Sequence, residues 1–299
     1  MTRSFTSATT VDDALSAMAG GARPVAGGTD LVVGARQGKA PLPEAIVAID
    51  RIVGLHAIEA SDGGLRLGAL VTHRDLVMNE DVRMRYAAIA DASAIVGSHA
   101  TRAQGTIGGN VMNASPAMDT GAPLLCFGAS AILRSPTGER SVALDELWTG
   151  PGRTSARPDE LLVSLELPAP ASGTGSSYVR LEYRRQMEIA VVGAAALVTF
   201  DGDRITAARV AITALTPTIR RVPEAESALA GSDGGADAVA TAAAAAAAAS
   251  TPISDVRGSA DYRRAMAEVI AGRAIAAAVT RALGGTVSIP ASQSGMSRT

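Results

Sequence analysis

Two pairs of adjacent glycines carry the clearest chemistry in the sequence, Ala26-Gly27-Gly28-Thr29-Asp30 and Thr106-Ile107-Gly108-Gly109-Asn110. Lacking Cβ atoms, such pairs let backbone amides come close to a diphosphate, and a threonine hydroxyl or asparagine amide adds further hydrogen bonds. The pattern suits a nucleotide, although either pair alone reads more often as a plain turn. Neither forms a standard nucleotide fingerprint. No Gly-x-Gly-x-x-Gly opens a helix, and Gly34-Ala-Arg-Gln-Gly38-Lys39-Ala40 has the wrong spacing for a phosphate loop and lacks its Ser or Thr. His56, His73 and His99 stand far apart without partners at metal-ligand spacing and read as ordinary. Cys126, in Leu-Leu-Cys-Phe, reads as a small buried side chain. One thiol makes no intrachain disulfide and holds no iron–sulfur cluster or cysteine-rich zinc site.

The elements that must position these glycines follow from pattern and capping. Thr10-Val-Asp-Asp13 starts a helix over about 11–19, which Gly20-Gly21 stops. Segments 45–50 and 65–70 have strand character; Thr72 caps a helix through about Met78, and 84–96 reads as one more helix. Residues 97–110 carry few apolar side chains and are expected to be a loop, structured or disordered. A hairpin follows around Ser135-Pro-Thr-Gly138, then a strand at 161–167, and the Pro-, Gly- and Ser-rich stretch 169–177 is the expected domain boundary. Beyond it, strands at 177–184, 191–200 and 204–215 precede helices at 223–230, 236–249 and 259–283. The last is capped by Ser259, with Tyr262, Met266, Val269 and Ile270 as its apolar face. Strands followed by helices make an α+β domain. The expected domains are 1–170, in lobes of about 1–55 and 56–170, and 175–288, with a loose tail at 289–299.

Length and composition bound the function. The 299 residues, 47% of them apolar, allow two or three domains with packed cores. With 27 basic against 29 acidic residues and no basic block, nucleic acid and anionic membranes are poor partners. Neither a secretion signal nor a membrane span is legible, and a cytoplasmic, reducing location is expected.

Five ordered blocks resemble a known family. They are Ala-Gly-Gly-Thr-Asp-Leu at 26–31, Gly-Thr-Ile-Gly-Gly-Asn at 105–110, Asn113-Ala-Ser-Pro116 with Asp119, Gly150-Pro-Gly-Arg-Thr154, and Asp255-Val-Arg-Gly-Ser-Ala-Asp-Tyr-Arg-Arg264. Together they look like the FAD-binding medium subunit of molybdenum hydroxylases, the xanthine dehydrogenase and aerobic carbon monoxide dehydrogenase family. The likeness runs from about residue 5 to about 285. It implies a two-lobed FAD-binding domain of the vanillyl-alcohol oxidase type, followed by a C-terminal α+β domain with an antiparallel sheet and helices.

The resemblance also implies site residues. Val25, Ala26, Gly27, Gly28, Thr29, Asp30 and Leu31, with Thr106, Ile107, Gly108, Gly109 and Asn110, would hold the diphosphate of a non-covalent FAD. Asp119 matches a position that contacts the adenosine or ribityl hydroxyls; its competing role is to cap a helix at 122–125. Leu162 matches an apolar residue lining the cofactor. Arg180 stands where relatives often carry a lysine, a cation that stabilises the anion left by flavin reduction; its alternative is a solvated strand residue. No residue of the chain is expected to act as a catalytic acid or base or to bind a metal.

The activity implied is that of an electron-transfer subunit. Electrons would come from two-iron clusters of a small partner, substrate would be hydroxylated at a molybdenum cofactor in a large one, and NAD, oxygen or another acceptor would take them up. A dimer of heterotrimers is the expected assembly. With one cysteine the chain cannot carry the extra four-iron cluster of the benzoyl-CoA reductase branch. Thr29-Asp30, where carbon monoxide dehydrogenases usually show His-Ser, is similar to the purine, nicotinate and aldehyde hydroxylases. The alternatives are a stand-alone flavin oxidoreductase and a scaffold subunit with an inactive flavin site.

Overall fold

The computed structural model describes residues 4–184 and 186–291. The first lobe opens with β1 (Ser4–Ser7), α1 (Val11–Ala19) and β2 (Arg23–Val25), and continues with α2 (Leu31–Arg36) and β3 (Ala45–Ala48). The three strands form a parallel sheet in the order β1-β3-β2, so each neighbouring pair is joined by a crossover, as parallel pairing requires. Thr10 and Asp13 cap α1 reciprocally, the threonine hydroxyl accepting the Asp13 N–H and the aspartate accepting the Thr10 N–H.

The second lobe begins with β4 (Ile58–Ser61) and β5 (Gly64–Gly68) and runs through α3 (His73–Met78), α4 (Glu80–Arg85), α5 (Ala87–Ile95), α6 (His99–Gln104), α7 (Ile107–Asn113) and α8 (Gly121–Phe127). It ends with β6 (Ser130–Ser135), β7 (Gly138–Ala143), α9 (Leu144–Leu147), the short pair β8 (Trp148–Gly150) and β9 (Arg153–Thr154), and β10 (Leu161–Leu167). Its antiparallel sheet has the order β4-β5-β10-β6-β7. A register shift between Leu162 and Ser164 turns β10 so that Leu161 and Val163 join the first lobe's core while Leu162 and Leu165 join the second's.

The C-terminal part has the antiparallel sheet β11 (Thr174–Leu181), β12 (Val192–Asp201), β13 (Arg204–Thr213) and β14 (Arg220–Arg221), then α10 (Pro223–Leu229), α11 (Ala236–Ala248) and α12 (Ala260–Ala282). Both sheet faces are covered. One packs with the second lobe through Tyr178, Ala195, Leu197, Ala211 and Ile219; the other packs under the helices through Val179, Ala194, Val198 and Ile212.

Several expectations need correction. Residues 97–110 are two helices, α6 and α7, joined at Gly105-Thr106. Ser98 accepts the Thr101 N–H at 3.2 Å and Thr106 the Gly109 N–H at 3.0 Å, so each helix has its cap. The glycines at 108 and 109 sit within α7, where a Cβ on Gly108 would lie 2.5 Å from the Ala69 carbonyl oxygen. The single helix at 84–96 is two, broken at Tyr86, whose ring is fully buried. On α12, Tyr262 and Val269 are each 40% exposed; the buried face is Arg263, Ala267, Ile270, Ala271, Ala274 and Ile275, with alanines filling the seam. The first strand of the C-terminal sheet spans Thr174–Leu181, not 177–184. Within the expected loose tail, Ala291 is buried and donates its N–H to Asp91 at 2.9 Å; residues 292–299 lie outside the described residues. Among the described residues no helix is long and apolar enough to cross a membrane, and no group of His, Cys, Asp and Glu side chains is placed to hold a metal ion.

Candidate functional site

The two glycine segments, some eighty residues apart in sequence, meet. A Cβ on Gly27 would stand 1.8 Å from the Gln104 carbonyl oxygen, and one on Gly105 would stand 3.4 Å from Thr29 Oγ1. Glycine is therefore required at position 27, where two backbones touch. Gly28 adopts a left-handed φ of +68°, which bends the chain out of β2 at Val25 and into α2 at Leu31. Among the described residues, the N–H groups of Gly27, Gly28, Thr29 and Asp30 find no acceptor in the chain. Asp30 sits at the N-cap of α2 without making a side-chain cap, and its carboxyl is exposed. This turn thus offers consecutive free amides and a hydroxyl, the donor set a diphosphate needs.

The second segment contributes differently from the expectation. Ile107 donates its N–H to the Val71 carbonyl at 2.9 Å, Gly108 to Ala69 at 3.0 Å and Gly109 to Thr106 Oγ1. With Asn110 donating to the Thr106 carbonyl at 3.0 Å, four of its amides are consumed inside the fold, which locks α7 against the chain leaving β5. What remains for a ligand is the Thr106 hydroxyl hydrogen, the exposed edge at Gly109, and Asn110, whose Oδ1 accepts the Thr120 hydroxyl at 2.6 Å. Ile107 is fully buried and anchors the segment. Leu162, 3% exposed, lies behind it: the carbonyl of the next residue, Val163, accepts the Ala69 N–H, and Ala69 in turn accepts from Gly108.

Thr120 leads to Asp119. Asp119 does not cap α8, because both of its carboxylate oxygens are already engaged by the C-terminal sheet. Oδ1 accepts the Tyr178 hydroxyl at 2.8 Å and Oδ2 accepts Arg180 Nη1 at 2.8 Å. Burial pushes the Asp119 carboxyl up to about 6, against the pull of Arg180 and Tyr178. Arg180 is not a solvated strand residue: it is 4% exposed, and its other nitrogen donates to Glu182. The alternation of β11 puts Tyr178 and Arg180 on the side facing the second lobe, while Ser177 turns the other way to donate to the Ala274 carbonyl of α12 at 2.6 Å.

Two functional candidates were not legible as such. His73 is 1% exposed, donates its backbone N–H to Gly105 at 3.1 Å, and has its ring edge 3.4 Å from where a Cβ on Gly105 would be. Burial, with the Arg102 charge second, pushes it down to about 4, so the ring behind the glycine junction is neutral. Tyr178 is the other; the period-two step from Arg180 was its only signal. His56 and His99 are exposed, and Cys126 is buried, its thiol held protonated by its apolar surroundings. Arg263 of the last sequence block donates to the carbonyls of Val191 and Ala214, at 3.4 Å each, and to Asp255, so that block ties the ends of β12 and β13 to the loop before α12.

Comparison with known proteins gives the family. The family described as "FAD binding domain in molybdopterin dehydrogenase" matches residues 1–170, and "CO dehydrogenase flavoprotein C-terminal domain" matches 177–278. The chain is 32% identical to the carbon monoxide dehydrogenase medium chain of Afipia carboxidovorans, over 87% of this chain and 90% of that one. It is also 32% identical to the alpha subunit of the 6-hydroxypseudooxynicotine dehydrogenase complex of Paenarthrobacter nicotinovorans, over 92% and 94%. These equal identities do not separate the carbon monoxide from the N-heterocycle enzymes. Among solved structures, carbon monoxide dehydrogenase from Hydrogenophaga pseudoflava superposes with a TM-score of 0.89 at 31% identity, covering 94% of this chain and 98% of that one. Quinoline 2-oxidoreductase from Pseudomonas putida 86 gives 0.88 at 28%. The chain belongs to the FAD-binding medium subunits of the molybdenum hydroxylases, and is the flavoprotein component of an oxidoreductase of that family.

Proposed function

We propose that this chain is the flavin station of a heteromeric molybdenum hydroxylase, carrying electrons from two-iron clusters of a small partner to an external acceptor such as NAD or oxygen. A large partner would hold the molybdenum cofactor and the substrate pocket, in a dimer of heterotrimers. The observation that supports this best is the meeting of the two glycine segments, which brings free amides and a hydroxyl from the first turn beside Thr106, Gly109 and Asn110 from the second.

The residues fit a dinucleotide. Val25 through Leu31 form the phosphate cradle, with Gly27, Gly28, Thr29 and Asp30 presenting N–H groups that would otherwise lack an acceptor. Thr106, Ile107, Gly108, Gly109 and Asn110 form the facing wall, Ile107 and Gly108 by fixing it rather than by donating. Asp119 would accept from the cofactor's hydroxyls with its remaining lone pairs, Leu162 would back the site with apolar surface, and Arg180 would supply positive charge already shared with Asp119 and Glu182. When bound, FAD supplies the conversion between two-electron and one-electron transfer. The chain's own work is to bind, orient and shield it.

Purification of the native assembly tests this. Flavin, molybdenum and iron are expected together in one complex that reduces a dye with an N-heterocycle, an aldehyde or carbon monoxide. A complex without molybdenum would contradict the assembly, turnover by the isolated chain would favour a stand-alone oxidoreductase, and a flavin-free chain that still assembles would favour a scaffold.

A further inference from the structure

Two buried carboxylates of the second lobe project into the C-terminal domain, and one residue holds both. Asp91 of α5, fully buried, accepts the Tyr178 backbone N–H at 3.1 Å, Arg281 Nη1 at 2.6 Å and the Ala291 N–H at 2.9 Å. Asp119 accepts the phenol of the same Tyr178 at 2.8 Å. Tyr178 is itself fully buried, and a Cβ on Gly193 of the neighbouring strand would stand only 2.3 Å from its hydroxyl oxygen. Its ring therefore has one place to lie, across a residue without a side chain, and its hydroxyl points at one acceptor.

We infer that Tyr178 is a positioning residue for FAD binding: pinned at its N–H by Asp91 and over Gly193 by its ring, it fixes the orientation of the Asp119 carboxyl toward the cofactor's hydroxyls. This rests on the reading of Asp119 as a cofactor ligand. Arg180, fixed by Glu182 and by the Glu188 carbonyl at 3.4 Å, holds only Oδ2 of Asp119, and a carboxyl held at one oxygen is free to turn about that bond. The phenol, rigid on two torsions, removes that freedom. The consequence is that FAD affinity depends on the docking of the C-terminal domain onto the second lobe, although Tyr178 lies outside both glycine segments.

The test is a double-mutant cycle on the full chain, read as the FAD dissociation constant by flavin fluorescence, with thermal unfolding of the flavin-free form alongside. Tyr178→Phe and Asp119→Asn are each expected to weaken FAD about ten-fold, the scale of one hydrogen bond to a charged group, and the double variant also about ten-fold, because Tyr178 acts through Asp119. An unchanged dissociation constant in Tyr178→Phe with a lowered melting temperature, or single effects that multiply to about a hundred-fold, would overturn the inference. Should Tyr178→Phe fail to fold, Gly193→Ala displaces the hydroxyl while keeping the ring, and the same ten-fold loss is expected; no loss there overturns the inference. A wild-type chain that takes up no FAD overturns the parent reading as well.

Discussion

At the scale of single residues, chemistry is set by burial as much as by identity. Among the groups that titrate away from their ordinary ranges, three carry large shifts of opposite sign below pH 7. His73 is held neutral by burial, its pKa down from 6.5 to about 4, so the unfolded chain takes up a proton first and stability falls as pH drops between those values. Glu160, bidentate to Arg140 at 2.6 and 2.9 Å and accepting the Arg157 N–H, is pushed down from 4.5 to about 2 by the hydrogen bond from Arg140; its contribution is present above 4.5 and lost below it. Asp119 runs the other way: its carboxyl is raised from 3.8 to about 6, so protonation favours the folded form over that interval. Each is an effect of about 3 kcal/mol. Relative to the parent chain, flavin-free Asp119→Asn is therefore expected to lose stability as pH falls from about 6 to 3.8, because it lacks the proton uptake that offsets His73. Urea unfolding across that range measures it, and an Asp119→Asn profile that runs parallel to the parent chain's would contradict the balance. The glycines at 27, 28, 108 and 109 were legible as residues without Cβ atoms; His73 and Tyr178 were not, because nothing local marks a side chain whose role comes from being enclosed.

At the scale of elements, capping signals read well and glycine signals read ambiguously. Thr10, Thr72 and Ser259 start α1, α3 and α12 where expected, since each cap is a local hydrogen bond. Residues 97–110 misled because glycine lowers helix propensity, yet α7 is held by Ile107 and Val111 in the core and by the Thr106 cap, and tertiary packing overrides the local preference. The exposed face of α12 misled for the converse reason: alanine is a weak apolar signal, but it permits the close seam that the helix makes with α11. The first turn is held to the C-terminal end of α6 by a contact with no room in it. Gly27→Ala would put a methyl 1.8 Å from the Gln104 carbonyl oxygen, so the two segments must part. We expect at least a ten-fold loss of FAD affinity from that one carbon, with the flavin-to-protein ratio on purification as the readout. Full flavin occupancy in Gly27→Ala would show that the contact is incidental.

At the scale of the whole molecule, the proposed site is an assembly of parts distant in sequence: a turn from the first lobe, a helix start from the second, and a strand from the C-terminal domain through Tyr178 and Arg180. Order along the chain marked the parts, and the family resemblance implied their common ligand; the ionic clasps between domains, Asp119 with Arg180 and Asp91 with Arg281, required the fold. The most direct measurement is amide hydrogen exchange of the full chain with and without FAD. The free N–H groups at 27–30 are expected to exchange fast alone and to be protected by FAD, whereas those at 107–110, already bonded within the fold, are expected to be slow in both states. FAD uptake that leaves 27–30 exchanging as before would contradict the placement of the cofactor between the two glycine segments.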